Sequence, residues 1–248
     1  MIKKFLLVPF LVMFLFAGVA QAQTTNDLPE PGLLPNSSFY FLKSLSEDIG
    51  TFFTFGDVAR AERFLNLSEK RLAEANALVA KGKTEIAEKA IGRYQEHLNS
   101  ALTKAEEAKA KGLDAEEVLA KVAEATLKHQ AVLADVYERV PEQAKSAIQR
   151  AMQVGMAGHE EALKAVSGQK REEVMEKIKQ RRQEVEQKLE GLRDRGIPIP
   201  TIPTREEIEK RIPARPETGK PEVPEVESET PGGAGKPETG KPGTPGRP

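Results

Sequence analysis

The chain has 248 residues, 30% of them charged and only 5% aromatic, with no Trp and no Cys; its 37 basic and 38 acidic residues leave a formal net charge of −1. The lack of Cys excludes disulfides, thiolate zinc sites and a Cys nucleophile, and the charge balance excludes the basic excess of a dedicated nucleic-acid binder. From the N-terminus, Lys3 and Lys4 precede an apolar run from Phe5 to Val19, and Ala20-Gln21-Ala22 has the small-x-small form of a cleavage site. Residues 1–22 therefore read as a signal peptide, with a retained anchor as the alternative. The run is short for a membrane span and contains Pro9. These features predict a protein that is secreted, periplasmic or at the cell surface, with no stable membrane insertion after cleavage near Ala22.

Residues 23–35 carry Pro29, Pro31, Gly32 and Pro35 and read as a linker. A helical domain follows over 36–168. Its N-terminal segment holds every Phe beyond the leader: Phe39, Phe41, Phe52, Phe53, Phe55 and Phe64. Phe39, Leu42, Leu45 and Ile49 recur at helical spacing, predicting a first helix capped by Asn36 or Ser37 and ended near Gly50. Thr51 to Phe55 reads as a hydrophobic turn packed on the bundle. Asp57 is placed to cap a second helix to Lys81. Gly82 and Gly112 stop the second and third helices. Asp114 with Glu117 opens a fourth, and Pro141 begins a fifth.

The seams place Tyr94, Leu98, Val122 and Ile148 in the core, together with Phe39, Leu42, Phe52, Phe53 and Phe64, because aromatic rings bury the most apolar area per residue. A charged helix over 169–195 has a narrow seam at Val174, Ile178, Val185, Leu189 and Leu192. It either lies on the bundle or protrudes as a coiled-coil arm. Residues 196–248 read as a Pro-rich disordered tail, within which Thr204 is placed to cap one short turn at Arg205 to Arg211. Within it, Pro-Glu-Thr-Gly occurs in two copies, after Arg215 and after Lys236, without the flanking segments of a wall-anchoring signal. The fold class expected is all-α: an up-and-down array of about six helices in long antiparallel hairpins, since short connections favour antiparallel neighbours.

Leu34-Pro-Asn-Ser-Ser-Phe-Tyr-Phe-Leu-Lys43, then Phe-Phe-Thr-Phe55 and Leu67-Ser-Glu-Lys-Arg-Leu-Ala-Glu-Ala75, resembles domain-of-unknown-function family 5667, found in exported bacterial and archaeal proteins. Further similarity lies at His97-Leu98, at His129 to Ala147 and at Gly158-His159-Glu-Glu-Ala-Leu163, so the resemblance extends from about Leu34 to Val166. It implies an all-helical exported domain and no activity.

The histidines are the residues that depart from the pattern. His129 and His159 lie on apolar seams and His97 beside one. An antiparallel hairpin of the third and fourth helices sets His97 and His129 at one level, while His159 is offset by roughly 10 Å along the axis. A His pair with a carboxylate suits zinc or copper, making His97, His129 and His159 metal candidates. A hydrogen-bonded core role is the alternative and carries more weight, because the spacing of the usual zinc motifs is absent. No nucleophilic triad, phosphate loop or HExxH occurs, so no catalytic residue and no cofactor are expected. The expected function is that of a non-enzymatic exported helical module binding or spacing an unknown envelope or extracellular protein. A metal-binding or metal-responsive envelope protein and a periplasmic holdase-type chaperone are the alternatives.

Overall fold

A computed structural model describes residues 28–212; residues 1–27, where a signal peptide was expected, and the repeat-bearing segment from Pro213 onward lie outside the described residues. The described residues contain eight helices and no strand: α1 (Tyr40–Phe52), α2 (Asp57–Ala80), α3 (Thr84–Ala110), α4 (Glu116–Arg139), α5 (Glu142–Ala165), α6 (Gly168–Lys177), α7 (Lys179–Arg193) and α8 (Arg205–Arg211). None is long and apolar enough to cross a membrane.

Local chemistry sets the long helices' ends. Gly82 and Gly112 take positive φ, 68° and 74°, a conformation that any Cβ opposes. There the next amides fold back: Lys83 N–H donates to Leu78 O, and Leu113 N–H to Ala108 O. This is the Schellman arrangement, which satisfies carbonyls left open at a helix end. Asp57 does not cap α2. Gly56 holds the cap position, and the Asp57 carboxylate pairs with Lys111 instead.

Helices α2 with α3 and α4 with α5 form two antiparallel hairpins, and α2–α5 make the bundle. Around it each helix has one hairpin partner and one parallel neighbour. Ties at matching ends fix the directions: Lys121 to Glu62 and Arg139 to Asn76 join α2 with α4, and Lys109 to the Ala165 carbonyl joins α3 with α5. The consecutive helices α3 and α4 sit diagonally and touch lightly. The hairpin expected between them is not a main packing interface. Small side chains allow close approach at the centre, where Ala75, Ala87, Ala101, Ala105, Ala123 and Ala144 are buried. Larger side chains fill the gaps, with Tyr94, Leu98, Val122, Leu133 and Ile148 all at 0–1% exposure.

The charged helix does not protrude. It runs parallel to α4, is interrupted at Ile178 between α6 and α7, and buries Val174, Ile178, Val185, Leu189 and Leu192 against the bundle. Lys177–Glu124 and Lys188–Asp135 flank that contact. The ordered chain also continues past residue 195, where a disordered tail was expected to begin. Arg182 donates to the carbonyls of Ile202 and Pro203, Ile202 and Ile208 are buried, and Thr204 with Glu207 forms a capping box at α8.

Candidate functional site

The first helix inverts the expected arrangement. A helix advances about 100° per residue, so Phe41, Leu42, Leu45, Ile49, Phe52 and Phe53 share one arc about 120° wide. That arc faces solvent. With Leu33, Phe39 and Phe55 at its ends, the nine apolar side chains are 46–74% exposed. The core assignment is therefore wrong for Phe39, Leu42, Phe52 and Phe53, and within Thr51 to Phe55 it is Thr51 and Thr54 that touch α2, through Arg63 and Arg60, while the three rings face solvent. Phe64, on α2, is half-buried against the core and stacks on His97. The opposite face of α1 explains the inversion, because it is polar and it is the face that docks.

Tyr40, Lys43 and Glu47 recur on that inner face. The Tyr40 hydroxyl donates to Glu74 Oε2 at 2.9 Å, and Lys43 Nζ reaches Glu74 Oε1 at 2.6 Å. Arg71 bridges the two acids, donating to Glu74 Oε1 at 2.6 Å and to Glu47 Oε2. Glu47, Arg71 and Glu74 are all buried. Lys43 also donates to the carbonyls of Pro31 and Leu33, which fastens the entry segment. Two positive and two negative groups make the cluster neutral, so the buried charges of Glu47, Arg71 and Glu74 are compensated, with Lys43 at the half-buried edge. Burial and the neighbouring Glu74 charge push the Tyr40 hydroxyl up to about 12, so it remains a donor. Burial opposes the charge on Arg71, but Glu74 and Glu47 outweigh it and hold its pKa above the ordinary arginine value.

Further along, Arg63 donates to the Glu47 carbonyl at 2.9 Å, passing over Gly50, where a Cβ would stand 2.8 Å from Arg63 Nη2. Gly50 is thus a point of close approach rather than a helix end, and α1 continues through it to Phe52. Hydrophobic periodicity and capping signals do not mark this cluster. Its signal was present in the Tyr40/Lys43/Glu47 spacing opposite the apolar arc, and in Arg71 and Glu74 beside the α2 seam.

The three histidines do not converge. His97 stacks on Phe64 with ring centroids 6.1 Å apart. His129, on the diagonal helix, has Nδ1 3.3 Å from the Tyr94 hydroxyl and Nε2 4.0 Å from Glu69 Oε1. His159 Nδ1 lies 2.7 Å from the Ala123 carbonyl. That contact requires a proton on Nδ1 and leaves Nε2 bare. No group of three or more potential metal ligands occurs among the described residues. His129 and His159 are fully buried, and burial pulls their pKa values down to about 3 and about 4. For His97, burial and the positive Arg71 act in the same direction.

Residues 32–143 span α1 to the start of α5, and they contain both the outward apolar arc and its polar anchor. They match the family model described as domain of unknown function DUF5667. No curated protein and no solved structure matches the chain. The DUF5667 match ends before Gly158-His159, so the similarity noted there lies outside it. All of α1 and its partners Arg71 and Glu74 fall within the DUF5667 segment, whereas most of α5 and the helices after it do not.

Proposed function

We propose that this is an exported, non-enzymatic helical module whose DUF5667 segment docks another protein at the cell envelope through α1. The observation that carries the reading is the solvent-facing arc of Phe41, Leu42, Leu45, Ile49, Phe52 and Phe53. A full aromatic side chain presents about 150–250 Å², so the arc and its ends expose roughly 900 Å². The largest apolar patch on a typical monomer is about 300–600 Å², and larger ones mark interaction sites. Anchors at 41, 45, 49 and 52 follow the spacing by which a helix engages an apolar partner surface. The leader and the Ala20-Gln21-Ala22 site support the address. An unfolded client could occupy the same face, so the holdase reading also draws support from it. Metal binding has less support, because His97, His129 and His159 are engaged by different partners.

The test is native electrophoresis of envelope and external fractions from cells carrying the wild-type chain or Ile49→Glu. The wild type is expected outside the cytoplasm, beginning at Gln23 and in a complex heavier than the monomer, with the variant running as monomer. Two monomeric species would overturn the docking reading, and an intact Met1 would overturn cleavage. Suppressed aggregation of an unfolded protein, lost in Ile49→Glu, would favour the holdase.

A further inference from the structure

We infer that the occupant of the α1 face is the α1 face of a second copy, packed antiparallel about a two-fold axis at the level of Glu47. The inference rests on the docking reading above and adds the partner's identity. Its first support is symmetry within the arc. Phe41 and Phe53 lie six residues either side of Glu47, Leu42 and Phe52 five, and Leu45 and Ile49 two. A two-fold interface requires that if one residue meets a second, the second meets the first. An antiparallel pair centred on Glu47 satisfies this at every position: Phe41 meets Phe53 of the other copy, Leu42 meets Phe52, and Leu45 meets Ile49. Leu42, Leu45, Ile49 and Phe52 also alternate three and four apart, the seam of paired helices.

Area is the second support. Roughly 900 Å² of exposed apolar surface is close to the ~800 Å² that each partner contributes to a stable interface of standard size.

Charge is the third. Lys43 and Glu47 are turned inward and paired, leaving Asp48 as the exposed charge of α1. Two such faces meet without a row of like charges. An anionic lipid surface, by contrast, is recognised by Lys and Arg along the polar face of an amphipathic helix, and α1 exposes none. Tyr40, the type of aromatic favoured at head-group level, is buried on the inner side. Residues 213–248, outside the described part, hold only Ala214, Val223, Val226 and Ala234 as apolar side chains besides proline.

The purified protein tests this by sedimentation from dilute to concentrated solution. The wild type is expected to reach twice the monomer mass and Ile49→Glu to stay monomeric, with equal helical content by circular dichroism. A monomeric wild type, or a dimer unaffected by Ile49→Glu, overturns the proposal. Because the chain has no Cys, orientation can be read from single thiols. In an oxidised equimolar mixture, Leu45→Cys should link to Ile49→Cys in preference to itself, and a preference for self-linking overturns the antiparallel pairing. A purified monomer that joins a heavier complex only in envelope extract overturns self-pairing but keeps the docking reading. A monomer that floats with zwitterionic vesicles, and loses this in Ile49→Glu, overturns self-pairing in favour of lipid.

Discussion

At the scale of single residues, the buried polar groups make the sharpest demands. His129 and His159 are held neutral by burial, with pKa values near 3 and 4 against 6.5 for a free histidine. The unfolded chain therefore binds protons that the folded chain refuses. Stability from this source is fully present above about pH 6.5 and is lost as pH falls toward 4, with a slope of up to about 1.4 kcal/mol per pH unit for each histidine. Denaturant titrations between pH 7 and pH 4 should show this fall, shallower in His129→Gln. Equal slopes would mean that His129 is protonated in the folded state. Glu74 is the second case. Glu74→Ala removes the acceptor shared by Tyr40, Lys43 and Arg71 and leaves two cations, the buried Arg71 and the half-buried Lys43, with Glu47 as the one remaining acid of the cluster. A loss of about 3–5 kcal/mol is expected, as for other broken buried pairs, measured by the same unfolding assay.

At the scale of elements, α1 shows what hydrophobic periodicity can and cannot say. Leu42, Leu45 and Ile49 do form one face of a helix, and that much was legible; Phe41 and Phe52 join it, Phe52 because α1 runs on past Gly50. Periodicity does not state which way a face points. Direction came from the other side of α1, where Lys43 and Glu47 find buried partners 31 and 24 residues away on α2. Pairings over such separations leave no local pattern. Phe52 is 74% exposed, so Phe52→Ala in dilute protein should change unfolding free energy by no more than about 0.5 kcal/mol. Leu133 on α4 is fully buried, and Leu133→Ala should cost about 2–5 kcal/mol. Comparable losses in both variants would place the aromatic helix back in the core. The charged helix is the converse case. Its seam at Val174, Val185, Leu189 and Leu192 was legible, but whether it met the bundle depended on α4 presenting a complementary face.

At the scale of the whole molecule, the all-helical class and most helix boundaries followed from sequence because Gly82, Gly112 and Pro141 punctuate it locally. The order of helices around the bundle did not. Loop length favoured α3 beside α4, but the ties Lys121–Glu62 and Arg139–Asn76 instead set α4 parallel to α2. The placement of His97 and His129 on facing helices failed for that reason, because their helices are diagonal, whereas the hydrogen-bonded core role agrees with the burial and contacts of His129 and His159. At the C-terminal side the Thr204-capped turn at Arg205–Arg211 was legible, but its docking was not, because Ile202 and Ile208, isolated among Pro and charged residues, are nonetheless buried.

The polar seating of α1 has a consequence for motion. Helices α2–α5 share apolar contacts, so their amides are released to solvent only when the bundle opens as a unit. α1 is held by the Tyr40, Lys43 and Glu47 contacts to Arg71 and Glu74, and by Arg63, with its apolar arc unsupported. Such an element opens sub-globally, at a free energy below that of global unfolding. Deuterium uptake in dilute protein should therefore be faster over residues 40–52 than over 84–108, and association of copies should slow it selectively there. Uptake in α1 as slow as in α3, in a monomeric sample, would show that the polar contacts alone bind α1 as tightly as the core binds itself.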